Sequence, residues 1–174
     1  LSSSAVVTDN HSTISGGGLS IHNNSSLAVN GATVSSNTSG SGSAIYLHSN
    51  AASTFDNATI SGNTSASGSG AIALSDTSSI TMDSSLVTGN TGRTGGGISL
   101  LNGSSGTVTQ TQFTANSAVS KAGALMVSGT STLNISNTTI YGNTVSDTSS
   151  GGAMYVGSGS VASLVHSKID SNSA

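Results

Sequence analysis

The chain has 174 residues and a formal net charge of −3, with three basic side chains, six acidic ones and no cysteine, proline or tryptophan. Three basic residues are too few to follow a phosphate backbone, and a chain without cysteine has no disulfides and no thiolate metal site. No run approaches the roughly 20 apolar residues of a membrane helix. The chain contains 41 Ser, 22 Thr, 23 Gly and 15 Asn, so residues that favour helices are scarce. The hydrophobic fraction of 33% is too high, and the net charge too low, for a typical disordered chain.

The first predicted element is an apolar residue followed, three positions later, by asparagine. It begins at Val7 and returns at Val34, Ile60, Val87, Phe113, Ile140 and Ile169. The spacings between successive asparagines are 27, 26, 27, 26, 27 and 29 residues. We expect these side chains to stack in one internal turn, since asparagine tolerates left-handed backbone angles and its amide bonds to an identical neighbour. The predicted structural column is Asn10, Asn37, Asn63, Asn90, Asn116, Asn143 and Asn172.

The second predicted element is a strand that follows a pair of small residues. Its first copy is Leu19-Ser20-Ile21 after Gly17-Gly18, and its last is Met154-Tyr155-Val156 after Gly152-Ala153. The alternation of apolar and other residues is typical of a half-buried strand. The small pair predicts a sharp turn ahead of the strand.

The third predicted element is another alternating strand, seen first at Leu27 and Val29 and again at Leu133 and Ile135. Ser53, Gly106 and Ala162 interrupt its first apolar position, which predicts uneven packing along this wall.

Together the three elements predict an all-β fold, a right-handed parallel β-helix with three short strands per coil. The chain is long enough for six to seven coils of about 27 residues, spaced by about 4.8 Å. Residues 1–174 are therefore predicted to form a single repeat domain. Neither end shows an atypical capping segment, so we expect either a segment of a longer rod or a subunit that stacks end to end into a fibre.

Two of these motifs resemble the repeat of polymorphic outer-membrane proteins, which carry GGA(I/L) and FxxN tetrapeptides. The first appears as Gly151-Gly152-Ala153-Met154 and the second as Phe113-Thr114-Ala115-Asn116. The resemblance covers almost the whole chain and implies a β-helical adhesin passenger, secreted or anchored at a cell surface. The chain departs from that family in having Ile or Val where Phe is commonest.

Candidate chemistry is sparse. Asp56 and Asp83 share a column on adjacent coils, and such a carboxylate pair is a weak candidate for holding Ca²⁺. His22 and His48 also share a column, but a third metal ligand is missing. Because no basic side chain shares the carboxylate column, the sequence predicts no catalytic residues. Apart from the weak Asp56 and Asp83 candidates, it also predicts no metal and no cofactor.

One outward column carries apolar side chains where water is expected. Tyr46, Met126 and Tyr155 lie in it and Leu101 lies nearby, which predicts a lateral contact surface.

These observations favour a non-enzymatic structural or adhesive module, located outside the cell or at its surface. Its expected partners are further coils or copies of itself, with a host receptor, a matrix receptor or a glycan as a further ligand. The alternatives are a carbohydrate-active or carbohydrate-binding β-helix and an ice-binding protein. Ice binding needs a regular threonine array, and the threonines around the turn column fail from the third coil onward, at Leu86 and Gln112.

Overall fold

The computed structural model describes residues 1–147 and 150–174, and in that part of the chain every regular element is a β-strand. The predicted fold is confirmed: the chain forms a right-handed parallel β-solenoid of about 6 turns with about 27 residues per turn. Each strand pairs in parallel with its equivalents in the preceding and following coils. The described residues contain no helix of the length and hydrophobicity that crossing a bilayer requires.

Four sheets run along the solenoid. The first sheet has seven strands, Val6–Thr8, Thr33–Ser35, Thr59–Ser61, Leu86–Thr88, Gln112–Thr114, Thr139–Tyr141 and Lys168–Asp170. The second has six, Leu19–His22, Ile45–His48, Ile72–Leu74, Ile98–Leu100, Leu125–Val127 and Met154–Val156. The third also has six, Ser26–Asn30, Ala52–Asp56, Ser79–Asp83, Ser105–Thr109, Thr132–Ser136 and Val161–Val165. The fourth has five, Thr38–Ser39, Thr64–Ser65, Thr91–Gly92, Ser117–Ala118 and Thr144–Val145.

The fourth sheet adds to the three strands per coil that the sequence predicts. Its five strands have only two residues each and begin directly after Asn37, Asn63, Asn90, Asn116 and Asn143. The residue before the asparagine has a positive φ, as at Ser36 (54°) and Gly62 (62°), so the chain turns there and leaves in an extended conformation. A strand of two residues is too short to show an alternating pattern, and in Thr38–Ser39 and Thr64–Ser65 both residues are polar, which is why the sequence does not predict this strand.

The asparagine column is confirmed as a continuous hydrogen-bonded ladder. Each Nδ2 donates to Oδ1 of the asparagine one coil further on, at 2.8–3.0 Å from Asn10 through to Asn172. The same Oδ1 also accepts the preceding asparagine's backbone N–H, at 3.0 Å for Asn37 to Asn63. In the central coils these side chains are 0% exposed. The ladder therefore satisfies buried polar groups that would otherwise destabilise the turn.

The core consists of apolar columns that run the length of the solenoid, as predicted. Val34, Ile60, Val87, Phe113 and Ile140 of the first sheet are each 0% exposed and stack in register. Truncating one large member of such a column costs about 2–5 kcal/mol. In the last coil, Ile169 of the same column is 48% exposed because no strand covers it.

The third sheet is the wall that the sequence predicts to pack unevenly. At Gly106 the space is filled by neighbours, since an added Cβ would lie 2.8 Å from Leu133 Cδ1 and 3.0 Å from Leu100 Cδ2. Ser53 is 3% exposed and its hydroxyl has no hydrogen-bond partner. Ser53 carries a hydroxyl where Leu27 and Ile80 in the neighbouring coils carry apolar side chains, so an unpaired polar atom lies in the core.

Close packing between coils requires glycine at Gly96, in the small pair ahead of a second-sheet strand. A Cβ added at Gly96 would collide with the Gly123 carbonyl oxygen of the next coil. Backbone segments approach each other here more closely than a side chain allows.

The turn between the second and third sheets contains two consecutive residues of positive φ. Asn23 and Asn24 adopt 58° and 62°, and the equivalent residues Gly129 and Thr130 adopt 68° and 61°. Asparagine and glycine suit these angles, whereas threonine is strained by them.

Candidate functional site

The most regular chemical feature of the surface is a column of hydroxyl groups that the sequence analysis missed. A Ser or Thr follows each column asparagine from Asn37 to Asn143 and opens a fourth-sheet strand. We call these residues the hydroxyl ladder: Thr38, Thr64, Thr91, Ser117 and Thr144. All the threonines among them are exposed, and neighbouring strands hold them in register, with Thr91 Oγ1 and Ser117 Oγ 3.1 Å apart. In a chain this rich in Ser and Thr, only the fixed position after asparagine distinguishes the ladder.

A groove of about 380 Å³ lies beside the first two members of the ladder. Its lining includes His11, Thr13, Thr38, Thr64, Ala66 and Ser67. Among the described residues that line it, none is an Asp, Glu, Lys or Arg. The volume falls within the range typical of small-ligand sites.

Backbone bonds between coils fix the floor of the groove. The Thr38 and Thr64 amides donate to the carbonyls of Asn10 and Asn37, both at 2.9 Å. His11 Nδ1 lies 2.8 Å from Thr38 Oγ1, which orients the imidazole along the ladder. The site is therefore formed before any ligand arrives.

The predicted lateral surface divides into two separate clusters. Tyr46, Leu101, Met126 and Tyr155 are all half-buried. Between Tyr46 and Met126 in this column lie Ala73 and Ser99, which are 1% and 0% exposed.

The first cluster is aromatic. Tyr46 stacks on His48 at a centroid distance of 5.2 Å, and His48 stacks on His22 at 5.3 Å. The Tyr46 hydroxyl lies 3.1 Å from Ser75 Oγ, and Ser49 Oγ lies 2.8 Å from His48 Nδ1. The two histidines thus share a column as predicted, with His22 exposed and His48 half-buried.

The second cluster contains Met126 and Tyr155, which are paired on adjacent strands. The Lys121 ammonium lies 4.8 Å from the centre of the Tyr155 ring, a cation–π contact. Contact of either cluster with another molecule remains a prediction.

The Asp56 and Asp83 carboxyl groups occupy adjacent positions of the third sheet, as predicted. Thr109 Oγ1 donates to Asp83 Oδ1 at 2.6 Å, and Asn57 Nδ2 donates to Asp56 Oδ1 at 2.9 Å. The hydrogen bond from Thr109 lowers the pKa of Asp83 below its ordinary value. Within the described residues no group of three or more His, Cys, Asp or Glu comes together, so the pair carries no assignment as a metal site.

Comparison with known proteins identifies the repeat. A family model described as "Right handed beta helix region" matches residues 1–174, the whole chain. No curated protein and no solved structure matches it.

Proposed function

The chain belongs to the right-handed β-helix family, and from that premise we propose that it is a structural and adhesive module of an extracellular rod, without enzymatic activity. The observation that supports this proposal most strongly is the unbroken register. The asparagine ladder runs from Asn10 to Asn172 with a hydrogen bond at every step. Continuous pairing of this kind gives a rigid rod whose sides are available for contact.

We further propose that the module is of the polymorphic outer-membrane protein type, located at the cell surface or beyond it. The Gly151-Gly152-Ala153-Met154 and Phe113-Thr114-Ala115-Asn116 motifs of the sequence support this proposal. The glycine-rich motif leads into a strand of the second sheet, and the phenylalanine motif ends at Asn116 of the asparagine ladder.

The partner that we propose for the rod is a further coil, from the same polypeptide or from a second copy. Val156, Leu164 and Ile169 of the last coil are 43%, 39% and 48% exposed, although their equivalents in the preceding coil are buried. A coil stacked on them would bury this apolar surface and pair the free strand edge. A host or matrix receptor or a glycan would bind along the sides.

The family also includes carbohydrate-active enzymes, so polysaccharide cleavage is the alternative to test. Cleavage needs an acid and a base that face the scissile bond. Asp56 and Asp83 are adjacent carboxylates, and their side-chain partners within the described residues are an amide and hydroxyl groups.

The test is an assay of the purified chain against neutral and acidic polysaccharides, with release of reducing ends and of unsaturated uronate as readouts. The control is the double variant Asp56→Asn/Asp83→Asn. We expect the chain and the variant to give the same background. Cleavage by the chain that the double variant lacks would overturn the non-enzymatic proposal.

A further inference from the structure

We propose that the groove beside the hydroxyl ladder binds a neutral oligosaccharide. This inference rests on the adhesive role proposed above, for which it names a ligand class and a site. The groove is formed by His11, Thr13, Thr38, Thr64, Ala66 and Ser67 and has a volume of about 380 Å³.

The lining combines a few hydroxyl groups with mostly apolar accessible atoms, a mixture that favours a neutral ligand with both hydroxyl groups and C–H faces. None of the described lining residues is an Asp, Glu, Lys or Arg, so the groove has no fixed charge to pair with an acidic or basic ligand. A Ser or Thr hydroxyl both donates and accepts, which is also true of every sugar hydroxyl. Thr64 supplies a methyl group as well as a hydroxyl, and His11 supplies a flat ring against which the C–H face of a sugar packs.

Some of these hydroxyls are free to bond to a ligand. Within the described part of the chain, the Thr13 and Thr64 Oγ1 atoms make no hydrogen bond, while Ser67 Oγ donates to the Gly40 carbonyl at 3.0 Å and retains its lone pairs. A ligand would therefore gain hydrogen bonds without breaking any of the protein's own. Because the floor strands are fixed by bonds between coils, little ordering free energy opposes binding.

The geometry of the ladder suits a short oligomer aligned with the solenoid axis. Its hydroxyls repeat at the coil spacing of about 4.8 Å, so successive units of such a chain would meet successive threonines. Ala66 and Ser67 line the groove together with the first ladder residues. A concave surface accommodates an oligosaccharide better than the flat face of an ice crystal.

Isothermal titration calorimetry with the full chain tests the proposal. The probes are the neutral tetrasaccharides cellotetraose, laminaritetraose, maltotetraose and chitotetraose, with tetragalacturonate as the acidic comparison. The variants are Thr64→Val and Thr13→Val, which keep the shape of the side chain and remove one hydroxyl each. The matched control is Thr107→Val, on the exposed face of the third sheet and outside the groove. Thermal unfolding of each variant checks that the fold is retained.

We expect at least one neutral tetrasaccharide to bind in a saturable manner. Thr64→Val and Thr13→Val should each weaken binding by about fivefold, the effect of one lost hydrogen bond, while Thr107→Val leaves it unchanged. Three results would overturn the proposal: no neutral probe binds, binding survives both groove variants, or tetragalacturonate binds more tightly. If the chain binds no sugar but still forms rods in solution, the oligosaccharide site is refuted and the structural function stands.

Discussion

Replacing Asn90 with alanine should lower the free energy of unfolding by about 4 kcal/mol. Asn90 is 0% exposed and its side chain makes four hydrogen bonds. Nδ2 donates to the Ile60 carbonyl at 3.0 Å and to Asn116 Oδ1 at 2.9 Å. Oδ1 accepts the backbone N–H and the Nδ2 group of Asn63, at 3.0 and 2.9 Å.

The magnitude follows from what alanine leaves behind. A hydrogen bond contributes about 0.5–1.5 kcal/mol net, and a buried donor left without a partner costs about 1–3 kcal/mol. The Asn63 backbone N–H would face a void with no acceptor, whereas Asn63 Nδ2 keeps its bonds to the Val34 and Ser61 carbonyls. Four lost hydrogen bonds and one buried donor without an acceptor, partly offset by the bonds that Asn63 Nδ2 keeps, lower the free energy of unfolding by about 4 kcal/mol.

Urea unfolding followed by far-ultraviolet circular dichroism measures the effect. The control is Asn134→Ala, because Asn134 is exposed on the outer face of the third sheet. We expect the control to change stability by less than about 0.5 kcal/mol. If Asn90→Ala is no more destabilising than Asn134→Ala, the ladder does not stabilise the fold and the reasoning fails.

Four further predictions concern single side chains. Ser53→Ala should raise stability by about 1 kcal/mol because it removes a buried hydroxyl without a partner. Ser43→Ala loses a 2.7 Å hydrogen bond to the Gly70 carbonyl and should lower stability by a similar amount. If both variants shift the urea midpoint in the same direction and by the same amount, both predictions are contradicted. Thr130→Gly should raise the thermal midpoint, because the backbone of this β-branched residue has a φ of 61° and glycine would relieve strain of about 1 kcal/mol. An unchanged or lower midpoint would show that Thr130 is not strained. Thr109→Val should raise the pKa of Asp83 towards its ordinary value of 3.8, as followed by carboxyl NMR. The pKa of Asp83 is lower in the folded than in the unfolded chain. The carboxylate's contribution to stability is therefore present above the unfolded pKa and is lost as pH falls through the folded pKa. An unchanged Asp83 titration in Thr109→Val would show that Thr109 is not the cause of the lowered pKa.

The fold is predictable from sequence because two separate motifs carry the same register. The apolar-x-x-Asn motif pairs Val34 with Ile60, and the strand after the small pair places Ile45 beside Ile72 at the same repeat length. A one-residue slip would move the apolar residues of both strands to the wrong face, so the two motifs together specify the pairing.

The hydroxyl ladder was not predictable in the same way. Its strands are two residues long, and the inward partners Ser39 and Ser65 are as small and polar as the outward Thr38 and Thr64. Ala118 and Val145 supply an apolar inward residue only in the later coils, so two-residue strands give periodicity little to detect, although the position after asparagine is constant.

The burial of Ser99 depends on the path of a loop. A Cβ added at Gly95 would collide with Ser99 Oγ, which shows how closely the preceding turn lies over this outward position. Alternation along a strand predicts which face a residue occupies, but the loops that cover that face have no period of their own.

Small-angle X-ray scattering over a concentration series tests most directly whether coils stack into a rod through the exposed coil edge. The compared samples are the chain, Ile169→Asp in the last coil, and Thr107→Asp on an outer wall. The account predicts that the chain and Thr107→Asp lengthen with concentration at constant cross-section, beyond the roughly 30 Å that six coil spacings give. Ile169→Asp should remain short, because a carboxylate at the edge opposes apolar stacking. A monodisperse particle of single-chain length at every concentration, or equal lengthening by both aspartate variants, would contradict it.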